Sequence, residues 1–213
     1  SNLQTTGFDV SIADGQATVT ITDNDRASLS IDDVSVNEEA GTALVTVSLD
    51  QPVDAPVSVN YTTADGSAVE GTDYIGVSGT LTFNAGQQTR EFTIDLVDTA
   101  LVELDETFLV NLSHLQAGGR DVVLADNQAD VTIVNIDQAA FSINDTSVDE
   151  NAGTATLTIT LDQLVDTTVT VDYATVSNSA LSSSDYLPLS GTLTFNPGDQ
   201  SRTITVPLVD SEF

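Results

Sequence analysis

Residues 154–161 read Thr-Ala-Thr-Leu-Thr-Ile-Thr-Leu, and this stretch decides the fold class. Its apolar Leu157, Ile159 and Leu161 alternate with threonine, and a period of two is typical of a strand that buries one face. The same alternation recurs at 45–49, 57–61, 81–83, 92–96, 108–112 and 131–133, with Gly, Pro, Asn and Asp between the runs. Since no helical period is sustained anywhere, the sequence predicts an all-β protein.

The chain repeats itself at an offset of 112 residues. Residues 26–101 align without gaps on 138–213 and match at 39 of 76 positions, while residues 1–25 align on 113–137 and match at 14 of 25. A fixed period of this kind indicates tandem structural units. We therefore predict one complete repeat at 26–137, preceded at 1–25 by the C-terminal strand or strands of another repeat. Residues 138–213 are predicted to be a partial repeat that lacks its last strands.

The complete repeat has room for about seven strands, with turn signals every 8 to 15 residues or so. That pattern predicts a two-sheet sandwich of Ig-like architecture, with a closed barrel as the alternative. The junctions at 25–27 and 137–139 are short and polar, and they contain neither Gly-Ser nor Pro-rich spacers. Such junctions favour a stiff array of units.

The charge is one-sided and excludes several function classes. Four basic residues stand against 33 Asp and Glu, and the formal net charge is −29. This field repels phosphate backbones and anionic lipids, so we expect neither nucleic-acid nor polybasic membrane binding. No apolar run approaches the roughly 20 residues of a membrane span, so direct membrane insertion is not expected either. The absence of Cys excludes disulfides, thiolate zinc sites and thiol nucleophiles.

An enzyme is not expected. His114 is the one histidine, and it lies in a loop-like stretch where nothing suggests the buried arrangement of a catalytic triad. The neighbouring Asp105 and Glu106 could in principle serve a glycosidase. However, adjacent residues on a strand point to opposite faces, and the chain has no Trp to form a sugar platform.

Acidic residues collect at the turns of the complete repeat, where the ends of alternate strands should meet at one pole of a sandwich. Carboxylates gathered within about 5 Å repel each other unless they are protonated or neutralised. With no Lys and few Arg in the chain, a divalent cation is the economical counter-charge, and calcium takes oxygen ligands from flexible loops. Solvated turn acids are the alternative, and spacing alone favours neither reading, because no contiguous EF-hand loop is present.

Four motifs in order resemble the Calx-beta domain. They are VNEEAGT at 36–42, ADGSAVEGTDY at 64–74, SGTLTF at 78–83 and VDTALVELDETF at 97–108, followed by Thr-Ile before Asp137. The resemblance covers essentially the whole chain. It implies tandem seven-strand Greek-key sandwiches that bind Ca²⁺ at one pole, near the junction with the next domain.

The resemblance also implies which residues are ligands, since each matches an acidic position of the family. They are Glu38, Asp65, Asp98, Glu103, Glu106 and Asp137 in the complete repeat, Asp23 and Asp25 in the first, and Glu150 and Asp210 in the third. Three acidic positions of the family are Asn135, Ile136 and Thr99 here, and Ser177 takes the phase of Asp65 in the third repeat. Fewer carboxylates imply weak binding of one or two ions, in the roughly 10⁻⁴ to 10⁻³ M range of extracellular modules.

The pair Asp73 and Tyr74 recurs as Asp185 and Tyr186 in the third repeat. For this pair we expect a structural hydrogen bond of the tyrosine hydroxyl near a sheet corner, and no ligand role for the aspartate.

These expectations favour a calcium-binding structural repeat of a large bacterial surface or secreted protein, in an adhesin, stalk or filament. A calcium-sensing regulatory domain and a calcium-independent spacer are the alternatives. The expected location is extracellular or at the cell surface, and the expected partners are neighbouring repeats of the same protein. Head-to-tail self-assembly is a further expectation, with residues 1–25 of one chain completing the 138–213 unit of another. An arbitrary boundary of the sequence is the alternative to that expectation.

Overall fold

The computed structural model describes residues 3–4 and 6–210. Within them lie fourteen strands: β1 Ala27–Ile31, β2 Val34–Asn37, β3 Thr42–Leu49, β4 Val57–Asp65, β5 Ser78–Phe83, β6 Thr89–Asp95, β7 Glu106–Gln116, β8 Val122–Leu124, β9 Gln128–Val134, β10 Phe141–Ile143, β11 Thr154–Leu161, β12 Val169–Ala174, β13 Ser190–Phe195 and β14 Ser201–Pro207. Two single 3₁₀ turns, Glu38–Ala40 and Glu150–Ala152, precede β3 and β11. The prediction of an all-β fold is confirmed. In the described part of the chain, no helix has the length and apolar character needed to cross a bilayer.

Strands β1 to β9 form two sheets that share one core. One sheet has the order β6-β3-β1-β8 and the other has the order β2-β9-β7-β4-β5. The pairs β1–β8 and β2–β9 are parallel, and the remaining neighbours are antiparallel. The inward residues of both sheets form a single cluster of buried side chains, which is the layered arrangement of a sandwich.

The unit has nine strands where the sequence predicted about seven, and the difference comes from two short elements. Asp32 and Asp33 separate β1 from β2, so that β1 pairs with β3 in one sheet and β2 pairs with β9 in the other. Asp33 holds the chain where it passes from one sheet to the other, because its Oδ1 accepts a hydrogen bond from the Asp130 N–H at 2.9 Å. The three-residue strand β8 then pairs with β1 through Ala27 and Val122.

The core of this unit follows the alternation read in the sequence. Val45, Val47 and Leu49 of β3 are buried, and the residues between them are not. Two aromatic rings, those of Tyr74 and Phe108, stack at its end with centroids 4.0 Å apart and planes 8° apart. Fully burying side chains of this size contributes about 1.5 to 3 kcal/mol each, so the core outweighs any single polar contact at the surface.

The partial repeat forms two smaller sheets, β10-β11-β14 and β12-β13. Strand β12 pairs with β13 alone, whereas its counterpart β4 pairs with both β5 and β7. Residues 146–149 stand in the phase of β2 and form no strand. The reason is that β2 is held by β9, and the described chain contains no β9 counterpart beside these residues.

No strand is assigned in the described residues 3–4 and 6–25. Their apolar side chains are exposed, with Phe8 at 76%, Val19 at 84% and Ile21 at 91%. A strand requires a hydrogen-bonded neighbour. That this stretch supplies the last strands of a preceding repeat therefore stays a prediction.

The two cores predict two separate unfolding transitions. Phe83 and Phe195 occupy the same repeat phase and are both buried, but the first lies among 22 buried hydrophobic side chains and the second among five. The smaller core should unfold at the lower temperature. Since Phe→Ala in a core costs about 3–5 kcal/mol, Phe195→Ala should lower the midpoint of this transition in calorimetry, or abolish it, and leave the other transition unchanged. Phe83→Ala should lower only the upper one. A single transition that both variants shift equally would contradict this expectation.

Candidate functional site

Four segments of the complete unit converge at one end of the sandwich, which we call the acidic pole. The parallel pairing of Asn37 with Val134 sets Glu38 beside the chain that follows β9. The antiparallel pairing of Glu106 with Ile133 brings the start of β7 to the same place. The turn containing Asp73 and the loop from β6 to β7 complete the pole. Its acidic side chains and their neighbours are Glu38, Asp73, Asp98, Glu103, Glu106, Asn135 and Asp137.

Glu38 is the most deeply buried charged residue of the pole, with 4% of its surface exposed. Its Oε1 accepts a hydrogen bond from the Ile136 N–H at 3.1 Å. Burial raises the pKa of Glu38, the hydrogen bond from Ile136 opposes that rise, and the negative charges of Asp137 and Asp98 add to it. The carboxylate is therefore held in a place that favours either a proton or a cation.

Asp137 carries an unsatisfied buried oxygen. Its own N–H donates to Asn135 Oδ1 at 2.7 Å, whereas its Oδ2 is buried and has no hydrogen-bond partner among the described residues. An unsatisfied buried polar group costs about 1–3 kcal/mol, and more when it is charged. This orphaned oxygen fits a ligand of a metal ion, because a cation would supply the interaction that the protein does not.

Glu103 and Glu106 share the pole with Asp73. Burial raises the pKa of Glu103, and the charges of Asp73 and of Asp166 in the next repeat raise it further. Burial, the charge of Asp73 and a hydrogen bond with Asp73 raise the pKa of Glu106 to about 7. Carboxylates this close resist ionising together, so Glu106 keeps its proton to a higher pH than an isolated glutamate does.

The pole lacks a basic residue in the described structure. Arg26, Arg120 and Arg202 pair with Asp121, Asp54 and Asp199, and Arg90 donates to the carbonyl oxygen of Thr82. Neutralisation must therefore come from protons or from a bound ion.

The pole encloses a small cavity of about 10 Å³, lined among others by Glu38, Asp73, Glu103 and Glu106. That is roughly the room of a single water-sized particle. Across the described residues, no three acidic or histidine side chains already stand in a geometry that could hold a metal ion. The donor set is all oxygen, as calcium prefers, but the loops would have to close around an ion.

Asp65 does not line the cavity of the pole, although it pairs with Phe108, two residues from Glu106. Its Oδ1 accepts hydrogen bonds from the Tyr74 hydroxyl and from the Glu70 N–H, both at 2.8 Å, and its side chain is exposed. The bond from Tyr74, followed by that from Glu70, holds the pKa of Asp65 below its usual range. The structural tyrosine bond is thus present as predicted, with Asp65 as acceptor, and Ser177 repeats it with Tyr186 at 3.2 Å.

Asp73 is the residue of the pole that sequence reasoning assigned to a structural role only. Its Oδ2 accepts the Val69 N–H at 2.7 Å, and its carboxylate faces Glu103 and Glu106. The recurrence of the Asp-Tyr pair in both repeats marked the position as important. The pattern could not show that the aspartate and the tyrosine side chains point to different neighbours.

The other predicted ligands are dispersed. Asp98 is exposed at the edge of the pole, near enough to raise the pKa of Glu38. Asp23 and Asp25 are exposed beside Arg26. In the partial repeat, Glu150 begins the second 3₁₀ turn and Asp210 follows β14, and both are exposed.

The pole lies at the junction with the partial repeat. Val102 donates its N–H to the Leu164 carbonyl oxygen at 3.0 Å, and its own carbonyl oxygen accepts the Asp166 N–H at 3.2 Å. This one-residue bridge brings the Asp166 carboxylate close enough to raise the pKa of both Glu103 and Glu106. Acids from two repeats therefore crowd together at one place.

The raised pKa of Glu106 predicts a pH dependence of stability in chelator. Between its ordinary pKa of 4.5 and the folded value of about 7, the native chain retains a proton that the unfolded chain releases. The free energy of unfolding should therefore fall as the pH rises from 5 to 8, by on the order of 1–3 kcal/mol. Glu106→Gln should flatten this fall in urea titrations, and Glu91→Gln on an exposed strand position should not. Equal slopes for the two variants would contradict the assignment.

Comparison with known proteins identifies the family. The Calx-beta domain model matches residues 20–139 and 135–213. Human sodium/calcium exchanger 2 is 33% identical over 171 residues, which cover 72% of this chain and 19% of the exchanger. The sodium/calcium exchanger Calx of Drosophila melanogaster is 30% identical over 179 residues, covering 83% and 19%. The chain thus spans about a fifth of the length of these curated relatives.

Two solved structures are also similar to this chain. The crystal structure of the apo-form Calx CBD1 domain is 29% identical, with a TM-score of 0.48, over 53% of this chain and all of that one. The crystal structure of CBD12 from CALX1.2 is 27% identical, also with a TM-score of 0.48, over 87% of this chain and 76% of that one. Since the family model matches nearly the whole sequence in two tandem segments, this chain belongs to the Calx-beta domain family.

Proposed function

We propose that this chain is a calcium-binding structural segment, in which calcium at the acidic pole stiffens the junction between tandem Calx-beta units. The observation that carries the proposal is buried Glu38 near Asp137, whose Oδ2 has no partner, in a pole that has no basic side chain among the described residues. Relatives that are named sodium/calcium exchangers support calcium as the cation. A bound Ca²⁺ would supply two positive charges and tie the loops of the pole together.

The residues proposed to hold the ion are Glu38, Asp73, Glu103, Glu106 and Asp137, with Asp98 at the edge. They come from the 3₁₀ turn, the turn before β5, the loop before β7 and the chain after β9. Because four separate segments contribute, binding should stabilise the folded unit as a whole and should not merely order one loop. Asp65 is left out of this set, since its carboxylate already serves Tyr74 and Glu70.

Calcium should therefore raise the melting temperature of the complete unit relative to chelator. At a concentration of 100 times the dissociation constant, one site adds about 2.7 kcal/mol of stability. Asp73→Asn should remove most of this calcium-dependent gain, and Asp65→Asn, the same chemical change outside the pole, should retain it. The measurement is the difference in melting temperature between calcium and chelator for each protein. Equal midpoints for the unsubstituted chain would reject the metal site and leave a calcium-independent spacer.

We place this segment in an extracellular or cell-surface protein, as part of an adhesin, stalk or filament. The support is the 112-residue repeat, with 39 of 76 positions identical, together with the short junctions and the absence of Lys. Units of the same length and phase in series suit a role in which length and stiffness matter.

A calcium-sensing regulatory domain is the second candidate, and the similarity to sodium/calcium exchangers favours it. Affinity separates the two candidates, because sensors bind calcium at about 10⁻⁷ to 10⁻⁵ M and extracellular modules at about 10⁻⁴ to 10⁻³ M. Calorimetric titration of the same samples therefore decides between them.

Head-to-tail self-assembly is part of the proposal. Residues 16–22 stand in the phase of β9, and residues 146–149 stand in the phase of its parallel partner β2. Pairing of these two stretches between chains would cover the exposed Val19 and Ile21. Light scattering at increasing concentration should then show growing oligomers, and compact monomers at every concentration would reject the idea.

A further inference from the structure

One residue of the complete unit closes the core of the next repeat. Val102 forms its backbone bridge with the turn Leu164–Asp166, and its side chain packs against the core cluster that contains Val165 and Phe195. A side chain of the preceding unit thus fills a place in the partial repeat that would otherwise face water. We call the turn at 164–166 the filled turn.

The complete unit has the corresponding turn, but in the described structure no residue of another unit forms a backbone bridge with it. Residues 52–54 stand 112 positions before the filled turn. Both turns are closed in the same way, since Gly86 N–H donates to the Val53 carbonyl oxygen at 2.8 Å and Gly198 N–H to that of Val165 at 3.3 Å. In the described structure, neither the Pro52 oxygen nor the Asp54 N–H takes part in a backbone–backbone hydrogen bond. We call residues 52–54 the open turn.

A cleft of about 750 Å³ lies at the open turn. Its walls include Val53, Asp23 and the arginines Arg26 and Arg120. This volume lies within the roughly 300–1,000 Å³ of ordinary ligand sites, and several side chains of a docked loop fit in it. The chain therefore shows one instance of the turn with a loop residue bound and another beside an open cleft.

The cleft brings two basic side chains together among several acidic ones. Two of the four basic residues of a chain with net charge −29 line it. Arg120 contacts the Asp54 carboxylate at 2.5 and 3.1 Å, and Arg26 lies 3.8 Å from Asp121. At the filled turn, Gln138 takes the phase of Arg26. Asp23, Asp25, Asp54 and Asp121 also line the cleft, so an incoming acidic side chain would be neutralised only at the two arginines, in exchange for their present partners.

From this correspondence we propose that the cleft at the open turn is the docking surface for the acidic loop of a preceding Calx-beta repeat. The loop would have the pattern of residues 101–105, Leu-Val-Glu-Leu-Asp. Its valine packs on Val53 and bridges the open turn, and the glutamate that follows lies near Arg26 and Arg120. This contact does not depend on calcium, so it can be tested in chelator.

The test uses the full chain, extended by its own sequence. Residues 26–112 fused in front of residue 1 give one more complete repeat, because residues 1–25 continue in the phase of 113–137. The chain has no cysteine, so an engineered pair is unambiguous. Val102→Cys in the added copy and Val53→Cys in the next unit should form an intramolecular disulfide, since bridged strand neighbours lie within disulfide range.

Two matched pairs calibrate the result. Val102→Cys with Val165→Cys in the unextended chain is the positive control, because that bridge is present, and the test pair should oxidise within about threefold of its rate. In the negative control, Val69→Cys takes the place of Val102→Cys in the added copy, since Val69 is 46% exposed and lies elsewhere. Substituting Arg26→Gln and Arg120→Gln should slow the test pair at least threefold at low salt, and less at high salt.

Three results would overturn the proposal. The first is absence of the test disulfide while the positive control forms, with hydrogen exchange at Val53 and Asp54 unchanged by the extension. The second is disulfide formation between chains only, which would assign the cleft to a second copy. The third is equal protection of those amides by inorganic phosphate in the unextended chain, which would assign it to a small anion. Protection of about tenfold or more in the extended chain alone would support the docked loop.

Discussion

Two carboxylates, those of Glu38 and Asp137, lie together at the end of a sandwich, shielded from water and without a basic residue beside them. Burial favours neither charge, and each charge opposes the other, so the arrangement is stable only when protons or a cation balance it. Glu103, Glu106 and Asp73 extend the same condition across the pole. The stability of the unit, its expected pH dependence and its proposed metal binding consequently follow from one electrostatic constraint.

The position of the pole joins this constraint to the array. Val102 sits between the acidic side chains and the core of the next repeat, and Asp166 of that repeat adds its charge to the pole. Neutralising the pole should therefore relieve repulsion within one unit and between two units together. The same end of the sandwich therefore carries both the crowded acids and the contact with the next repeat.

The complete and the partial repeat match in sequence phase but form different numbers of strands. The reason is that a strand forms only beside another strand with which it can pair. Strands β4 and β2 are each held by strands late in their own unit, whereas residues 146–149 have no such neighbour and stay outside the sheets. A β-strand is stabilised by hydrogen bonds to another segment, so its formation depends on distant sequence.

Alternation and charge are local properties, and from them the all-β class, the repeat period and the crowding of acids at turns could be predicted, with a sandwich favoured over a closed barrel. The sequence also predicted the Tyr74 hydroxyl bond and most acids of the pole. Only the tertiary structure decided that Asp73, and not Asp65, faces Glu103 and Glu106, and that Asp166 arrives from the next repeat. Two acids eight positions apart look alike in sequence, whereas strand register and the packing of Tyr74 determine which neighbours each carboxylate meets.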